Sequence, residues 1–229
     1  MNRRGFIKFS TKAVSISFLF PATSFANNTK MYLRPPGALE EKQFLSSCIK
    51  CGQCVQVCPY HTLNLMDIEH GFALGTPFID PNNRGCYLCD LFPCILACPS
   101  EALDHNATDI KDIHLGIAVI SNLDSCLAFM DKKLTSKDTQ KILNFKIHNE
   151  KERILAQNIK SGENKSCDLC VRLCPHPNKQ EAILMSLKDG KNFPLIKQEC
   201  VGCGVCAEVC PQNIITIIPN QTYESIYKG

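Results

Sequence analysis

The sequence predicts an α+β fold built from two similar small modules, and three patterns lead to this prediction. A cysteine run spaced C-x2-C-x2-C-x3-C and followed by proline begins at Cys48 and recurs at Cys200. Alternating apolar residues predict a short hairpin that pairs residues 63–68 with Phe72-Ala-Leu around Gly71, and a clearer hairpin over residues 182–196 with its turn at Asp189-Gly190. Residues 213–218 are predicted to form the closing strand. An amphipathic stretch over residues 136–159 predicts a helix that ends near Ser161.

The repeated cysteine run has the spacing that holds iron–sulfur clusters. Three closely spaced thiolates bind one cube, and the cysteine before the proline ligates the neighbouring cluster in two-cluster ferredoxins. A second run departs from this spacing by two added residues around Pro93 but keeps its final Cys98-Pro99. The complete runs are Cys48, Cys51, Cys54 and Cys58; Cys86, Cys89, Cys94 and Cys98; and Cys200, Cys203, Cys206 and Cys210.

The remaining run lacks its first cysteine. Cys167, Cys170 and Cys174 match the second, third and fourth positions, and Cys126 is the one cysteine left of sixteen. If Cys126 opens this run, the gaps between successive runs contain 27, 27 and 25 residues. We therefore expect Cys126 to be a ligand; the alternative is a buried free thiol.

Four runs predict four [4Fe–4S] clusters with crossed ligand sets. Pairing runs in order gives Cys48, Cys51, Cys54 and Cys98 for cluster 1; Cys86, Cys89, Cys94 and Cys58 for cluster 2; Cys126, Cys167, Cys170 and Cys210 for cluster 3; and Cys200, Cys203, Cys206 and Cys174 for cluster 4. Pairing run 2 with run 3 and run 1 with run 4 is the alternative. The strong hairpin between runs 3 and 4 favours the first arrangement.

Two other uses of sixteen cysteines compete with this interpretation. The cysteines of an exported protein usually form disulfides, and the N-terminal sequence described below predicts export. Pairs spaced C-x2-C also bind structural zinc. A disulfide scaffold does not require a repeated Cys-Pro sequence. A zinc knuckle uses two cysteines, whereas each complete run here has three closely spaced cysteines and a fourth that precedes the proline. The sequence therefore favours clusters.

The predicted fold is a tandem of bacterial 2[4Fe–4S] ferredoxin-like modules with short β-hairpins and helices, plus one helical insertion. Residues 48–115 form module 1 and residues 116–229 form module 2, with the insertion at 127–166. We expect the insertion to be a surface helix that covers a cluster; a partner-docking arm is the alternative. Residues 27–47 form an extended lead-in, either a linker or a docking segment, because Arg34-Pro-Pro-Gly disfavours helix.

The N-terminus resembles an export signal. Residues 1–26 contain Arg3-Arg4, an apolar stretch and the small-residue end Ser24-Phe-Ala, which predict a twin-arginine signal peptide and a periplasmic protein. These residues carry four basic and no acidic side chains, so the formal charge of +3 falls to −1 without them. That balance gives no support to a nucleic-acid partner. No apolar run is long enough for a spanning helix.

Several segments together resemble the periplasmic ferredoxin-type proteins of the NapG/MauM family. They are Arg34-Pro-Pro-Gly-Ala-Leu, Cys48-Ile-Lys-Cys-Gly-Gln-Cys, Cys98-Pro-Ser-Glu-Ala-Leu, Gly116-Ile-Ala-Val, Cys126-Leu-Ala-Phe and Cys167-Asp-Leu-Cys-Val-Arg-Leu-Cys-Pro. The resemblance implies four [4Fe–4S] clusters and a position peripheral to the inner membrane. It also implies two partners: a membrane-bound ferredoxin-type quinol-oxidising subunit, and a periplasmic nitrate reductase or its cytochrome. The family has a short loop where this chain has the 40 residues between Cys126 and Cys167.

The function expected is that of an electron-transfer subunit with no substrate site of its own. No Gly-rich phosphate loop supports a flavin or nicotinamide. Two other functions remain: an accessory factor for maturation of a periplasmic redox enzyme, and a structural zinc protein.

Overall fold

Short helices and strands alternate with irregular segments in the computed structural model, which describes residues 31–228. The predicted signal segment and the first residues of the lead-in lie outside that range. The helices are α1 Glu41–Ser47, α2 Gln53–Gln56, α3 Pro93–Leu96, α4 Ser136–Ile142, α5 Glu150–Lys160, α6 Leu169–Arg172, α7 Lys179–Ala182, α8 Val205–Glu208 and α9 Tyr223–Tyr227. The strands are β1 Leu63–Leu65, β2 Pro77–Ile79, β3 Gly116–Ile120, β4 Ile183–Lys188, β5 Lys191–Ile196 and β6 Ile215–Pro219. Single 3-10 turns cover Ile110–Asp112 and Leu123–Ser125, and two such turns joined by a kink at Gly71 cover Ile68–Ala73.

The strands form three separate two-stranded antiparallel sheets, which pair β1 with β2, β3 with β6 and β4 with β5. Apolar residues of all three sheets join one core, in which Ile117, Ile215 and Ile183 are almost completely buried. The architecture is therefore α+β with small hairpins, and the predicted fold class is confirmed.

The hairpin between runs 3 and 4 forms as predicted. Ile183 lies opposite Ile196 and Lys188 opposite Lys191, so the turn is Asp189-Gly190. Both turn residues have positive φ, 52° and 74°, which is the geometry of the two-residue turns that match strand twist. The predicted closing strand is also present, as β6, and its partner is β3.

The first hairpin differs from the prediction in its second strand. The apolar residues Phe72-Ala-Leu were expected to return along β1, but they lie in or next to a 3-10 turn, and β2 at Pro77–Ile79 pairs with β1 instead. Phe72 is 83% exposed, so its side chain does not contribute to the core. Thr76, fully buried, donates its hydroxyl to the carbonyl of Ala73 and closes this longer connection.

The lead-in packs on module 1 and is not a free linker. Leu33 bridges to Ile79 and Ala38 to Leu103, and the segment after Leu39 becomes helix α1, which was not predicted. The Arg34 side chain, 7% exposed, donates to both carboxylate oxygens of Glu41 at 2.9 and 2.5 Å. Such a two-pronged ion pair fixes the start of α1 beside the module.

The insertion contains two helices, so the single helix predicted over residues 136–159 is wrong. The Thr135 hydroxyl accepts from the Asp138 N–H to start α4, and the Asn149 side chain accepts from the Glu152 N–H to start α5. Each N-cap begins a new helix because its side chain replaces the missing backbone acceptor. The end predicted at Ser161 is confirmed.

Runs 2 and 4 touch along their backbones. The Cys86 N–H donates to the Cys203 carbonyl at 2.7 Å, across the boundary between the two modules. A β-carbon placed on Gly85 would lie 2.3 Å from the Val205 nitrogen and 2.5 Å from its α-carbon. Only glycine fits here without moving backbone.

We therefore expect Gly85→Ala to separate the two runs and to lower the free energy of unfolding by about 1–3 kcal/mol. The measurement is anaerobic denaturant unfolding of the cluster-loaded protein. Gly190→Asn is the matched control, because Gly190 faces open space and lies in a two-residue hairpin turn, where asparagine tolerates a positive φ. An equal, small effect of both substitutions would contradict the tight contact.

Candidate functional site

Each cysteine run presents its thiols from the same local structure. The third cysteines of the four runs lie in one-turn helices α2, α3, α6 and α8; they are Cys54, Cys94, Cys170 and Cys206. In α2 and α8 the residue before the helix is a glycine in the left-handed region, Gly52 at φ 73° and Gly204 at φ 87°. The C-x2-C-G-x-C sequence therefore produces a turn followed by one helical turn, which brings neighbouring thiols to one side.

The cysteines converge in four groups, which we number as the predicted clusters. Groups 2, 3 and 4 each line one of three small cavities of nearly equal size. Group 2 contains Cys58, Cys86, Cys89 and Cys94; group 3 contains Cys126, Cys167, Cys170 and Cys210; and group 4 contains Cys174, Cys200, Cys203 and Cys206. Near-equal cavities, each with four thiols, fit one common occupant.

Group 1 contains Cys48, Cys51, Cys54 and Cys98. The other three thiols all interact electrostatically with Cys54, where burial raises the pKa to about 11 and the neighbouring thiols add to the effect. Cys51 is the one exposed cysteine among the sixteen, all of which are described and unpaired in disulfides. Group 1 therefore lies nearest the surface.

The last cysteine of each run lies with the other run of its module. Cys58 joins the cavity of run 2 and Cys98 joins run 1. Cys210 joins run 3 and Cys174 joins run 4 in the same way. These positions correspond to the arrangement in which run 1 pairs with run 2 and run 3 pairs with run 4. The ligand sets themselves remain a prediction.

Cys126 lies in the same cavity as Cys167, Cys170 and Cys210 in spite of the insertion. The base of the insertion is closed by a bridge between Lys133 and Ser166 and by the Leu134 N–H, which donates to the Lys165 carbonyl. These contacts hold the two ends of the long loop together, so distance in sequence does not become distance in space.

The sulfurs are buried but surrounded by backbone donors. Burial raises the pKa of Cys48, Cys86 and Cys200, whereas the nearby backbone N–H of the residue two positions later lowers it. Those residues are Lys50, Leu88 and Gly202, all with positive φ. An iron centre would deprotonate these thiols outright, so their raised pKa values would not prevent them from binding it. The donor set therefore fits iron–sulfur clusters.

The four groups form a continuous series. Helices α2 and α3 are in contact and carry Cys54 of group 1 and Cys94 of group 2; the Cys86 N–H donates to the Cys203 carbonyl between groups 2 and 4; and helices α8 and α6 are in contact and carry Cys206 of group 4 and Cys170 of group 3. The order in space is therefore 1, 2, 4, 3, which differs from the order along the chain.

A buried arginine that the sequence did not single out lies where the modules and the insertion meet. The Arg84 side chain, 5% exposed, donates to Glu152 of α5 at 2.8 Å and to Glu208 of α8 at 3.2 Å. Its guanidinium carbon lies 3.8 Å from the centre of the Phe145 ring. The Glu208 carboxylate also accepts from the Gly85 N–H at 2.7 Å, beside run 2. One cation therefore joins three parts of the chain.

The two carboxyl groups around Arg84 differ in their pKa. Burial raises the pKa of Glu208 more than its hydrogen bonds lower it. Burial also disfavours the ionised form of Glu152, but donors from His148, His61 and Arg84 outweigh it, so the Glu152 pKa is lowered. Glu152 is therefore the more acidic of the two carboxyl groups.

Comparisons with known proteins agree with this geometry. Profiles described as a 4Fe-4S dicluster domain match residues 47–102 and 21–62, and a 4Fe-4S binding domain matches residues 194–216. The chain is 34% identical to the ferredoxin-type protein NapG of Escherichia coli over 82% of its own length and 70% of that protein's. It is 35% identical to the methylamine utilization ferredoxin-type protein MauM of Paracoccus denitrificans, over 78% and 66% of the two chains.

The chain belongs to the NapG/MauM family of ferredoxin-type proteins. It is therefore a ferredoxin-type 4Fe–4S electron-transfer protein with tandem dicluster modules. The match over residues 47–102 encloses runs 1 and 2 together. No solved structure matches the chain significantly. Within residues 31–228, no helix has the length and apolar character needed to cross a membrane.

We expect Cys126→Ser to remove about four of about sixteen iron atoms per chain, since a cube loses one of its four thiolates. The measurement is iron and labile sulfide per chain after anaerobic purification. Asp124→Asn is the control, because Asp124 is exposed and lies two residues away. Unchanged iron in Cys126→Ser would mean that Cys126 is a buried free thiol.

Replacing Arg84 by methionine should lower the free energy of unfolding by about 3–5 kcal/mol, because the buried carboxylates lose their partner. Anaerobic urea unfolding of the cluster-loaded protein measures this. Arg153→Met is the control, since its ion pair with Glu150 lies on the exposed face of α5, where pairs contribute little. Equal effects of the two substitutions would show that the Arg84 junction does not hold the parts together.

Proposed function

We propose that this chain carries electrons from a membrane-bound, ferredoxin-type quinol-oxidising subunit toward a periplasmic nitrate reductase or its cytochrome. In this proposal groups 1 to 4 hold four [4Fe–4S] clusters with the ligand sets given above. Module 1 spans residues 48–115 and module 2 residues 116–229. The twin-arginine signal at residues 1–26 directs the chain to the periplasm, where it lies peripheral to the inner membrane.

The observation that supports this proposal best is the unbroken series of groups 1, 2, 4 and 3. A carrier needs closely spaced redox centres between an entry point and an exit point. A [4Fe–4S] cluster supplies reversible one-electron chemistry, and the protein sets its potential through burial, charge and hydrogen bonds to sulfur. Here the Thr62 N–H donates such a bond to the Cys58 sulfur at 3.4 Å.

The exposed thiol of Cys51 favours group 1 as one end of the path. Cys203 and Cys206 of group 4 are buried, so this interior group is better shielded from water than group 1. Surface access at one end and shielding inside are the arrangement expected of a conductor between two partners.

A second function, as an accessory factor for maturation of a periplasmic redox enzyme, rests on a different observation. The chain is as similar to MauM proteins, whose name refers to methylamine utilization, as it is to NapG proteins. Electron transfer to nitrate is therefore one of two destinations consistent with the family.

The deciding experiment uses anaerobic membranes and soluble extract from cells that contain or lack the protein. A reduced quinol is added, cluster reduction is followed by EPR, and nitrate is then supplied. We expect quinol to reduce the clusters and nitrate to reoxidise them only when the protein is present. The matched variant is Cys54→Ser, which should interrupt transfer at group 1.

Clusters that stay oxidised while nitrate reduction proceeds would rule out the carrier role. Immunoblots for the reductase separate the second function: a maturation factor should change the amount of active reductase without itself being reduced by quinol. Unchanged reductase with lost electron flow supports the carrier.

A further inference from the structure

Two histidines and a carboxylate converge where the insertion meets module 1. His61 lies three residues after Cys58, whereas His148 and Glu152 belong to the insertion, at the start of α5. The His61 Nδ1 lies 3.0 Å from Glu152 Oε1 and the His148 Nδ1 lies 3.3 Å from Glu152 Oε2. One ligand atom of each residue lies within 4.8 Å of the other two.

These spacings match a tetrahedral metal centre before any ion is bound. Two ligands at the usual zinc distances of 2.0–2.1 Å, at tetrahedral angles, lie about 3.4 Å apart. The two nitrogen–oxygen distances are close to this value, so binding would need only small rotations of the imidazole rings. The ring centres of His61 and His148 are already 4.4 Å apart.

The environment separates the carboxylate from water and leaves the histidines accessible. Glu152 is 1% exposed, while both histidine side chains are 50% exposed. The three side chains therefore leave an open side toward solvent. Two imidazoles, one carboxylate and one solvent position make up the ligand set of many open zinc centres.

The surrounding contacts hold the ligands in place. The Asn149 side chain accepts from the Glu152 N–H at 3.0 Å and donates to the Pro59 carbonyl at 2.7 Å, so it joins α5 to the Cys-Pro of run 1. Arg84 donates to Glu152 Oε1, and the His148 N–H donates to Oε2 at 2.7 Å. Outer contacts of this type orient metal ligands and fix their charge state.

Arg84 is also the main opposing charge. One guanidinium nitrogen of Arg84 donates to Glu152 Oε1 and another donates to Glu208. The Glu208 carboxylate therefore neutralises part of the positive charge of Arg84. In the described contacts of Oε2, by contrast, the donors come from His148 alone. A cation would therefore bind at Oε2, on the side away from Arg84, and the His61 ring, whose Nδ1 now lies at Oε1, would have to rotate toward it.

We propose that His61, His148 and Glu152 bind a divalent first-row metal ion of the zinc class, with a water molecule as the fourth ligand. The site is separate from the sixteen cysteines and joins the insertion to module 1. Imidazole and carboxylate ligands suit zinc, whereas thiolates hold the clusters. Two of its three ligands lie in the insertion, so binding fastens that segment beside group 2.

The test uses the full chain loaded with clusters under anaerobic conditions. Zinc is added by equilibrium dialysis, and zinc and iron per chain are measured by mass spectrometry. We expect about one zinc per chain at unchanged iron. Loss of an outer-shell partner alone weakens metal binding by about 10–100-fold, so His61→Ala and His148→Ala should each weaken it at least about tenfold. His70→Ala is the control, because His70 pairs with Asp67 alone and lies outside the site.

Zinc X-ray absorption separates the proposal from binding by cysteines. Nitrogen and oxygen neighbours at about 2.0–2.1 Å support it, whereas sulfur neighbours at about 2.3 Å overturn it. No zinc retained at full iron content would show that the three residues form only an ion-pair junction. Zinc binding that survives both histidine substitutions would equally overturn the proposal.

Discussion

The convergence of thiols from two different runs on one space is the constraint on which the rest of the structure depends. Three cysteines of a run lie on one side of a short turn, and the fourth points into the cavity of the other run. Neither half of a module can therefore close alone. The chain therefore has to change direction repeatedly to bring its sulfurs together. For this reason the helices that carry the third cysteines have a single turn, and the strands have three to six residues. Left-handed residues such as Lys50 and Leu88 place backbone N–H groups near the sulfurs.

A second constraint is the contact between the modules, because a series of redox centres works only if no gap interrupts it. The Cys86 N–H and the Cys203 carbonyl make that contact through backbone, and Gly85 permits it. Arg84, the next residue toward the N-terminus, then pairs with Glu208 in module 2 and Glu152 in the insertion. Buried ion pairs contribute little net stability compared with apolar packing, but they are costly to break. The cost of breaking these buried ion pairs therefore keeps the two modules and the insertion in fixed positions relative to Arg84.

The sequence predicted most of what is local or repeated. Cysteine spacing indicated the four groups that the structure brings together, and Asp189-Gly190 marked its hairpin correctly. The features it missed depend on contacts distant in sequence. Arg84 and Glu152 resemble ordinary surface charges until the fold buries them, and Phe72 has the apolar character of a strand residue but lies outside the core. The break between α4 and α5 was signalled by Thr135 and Asn149 as N-caps, a weaker pattern than the apolar period around them.

The insertion shows why 40 residues between two cysteines of one group need not loosen that group. Loop-closure entropy rises only slowly with loop length, so a long excursion costs little more than a short one if its ends are held. Here the pairing at Lys133 and Ser166 holds them. The excursion is then fastened at both modules, because Asn149 donates to the Pro59 carbonyl and Lys141 to the Pro211 carbonyl. Both acceptors are the prolines of Cys-Pro pairs. The inserted segment therefore contacts the chain directly after Cys58 and directly after Cys210, the two cysteines that join the group of the other run. An insertion within run 3 thus stabilises both modules.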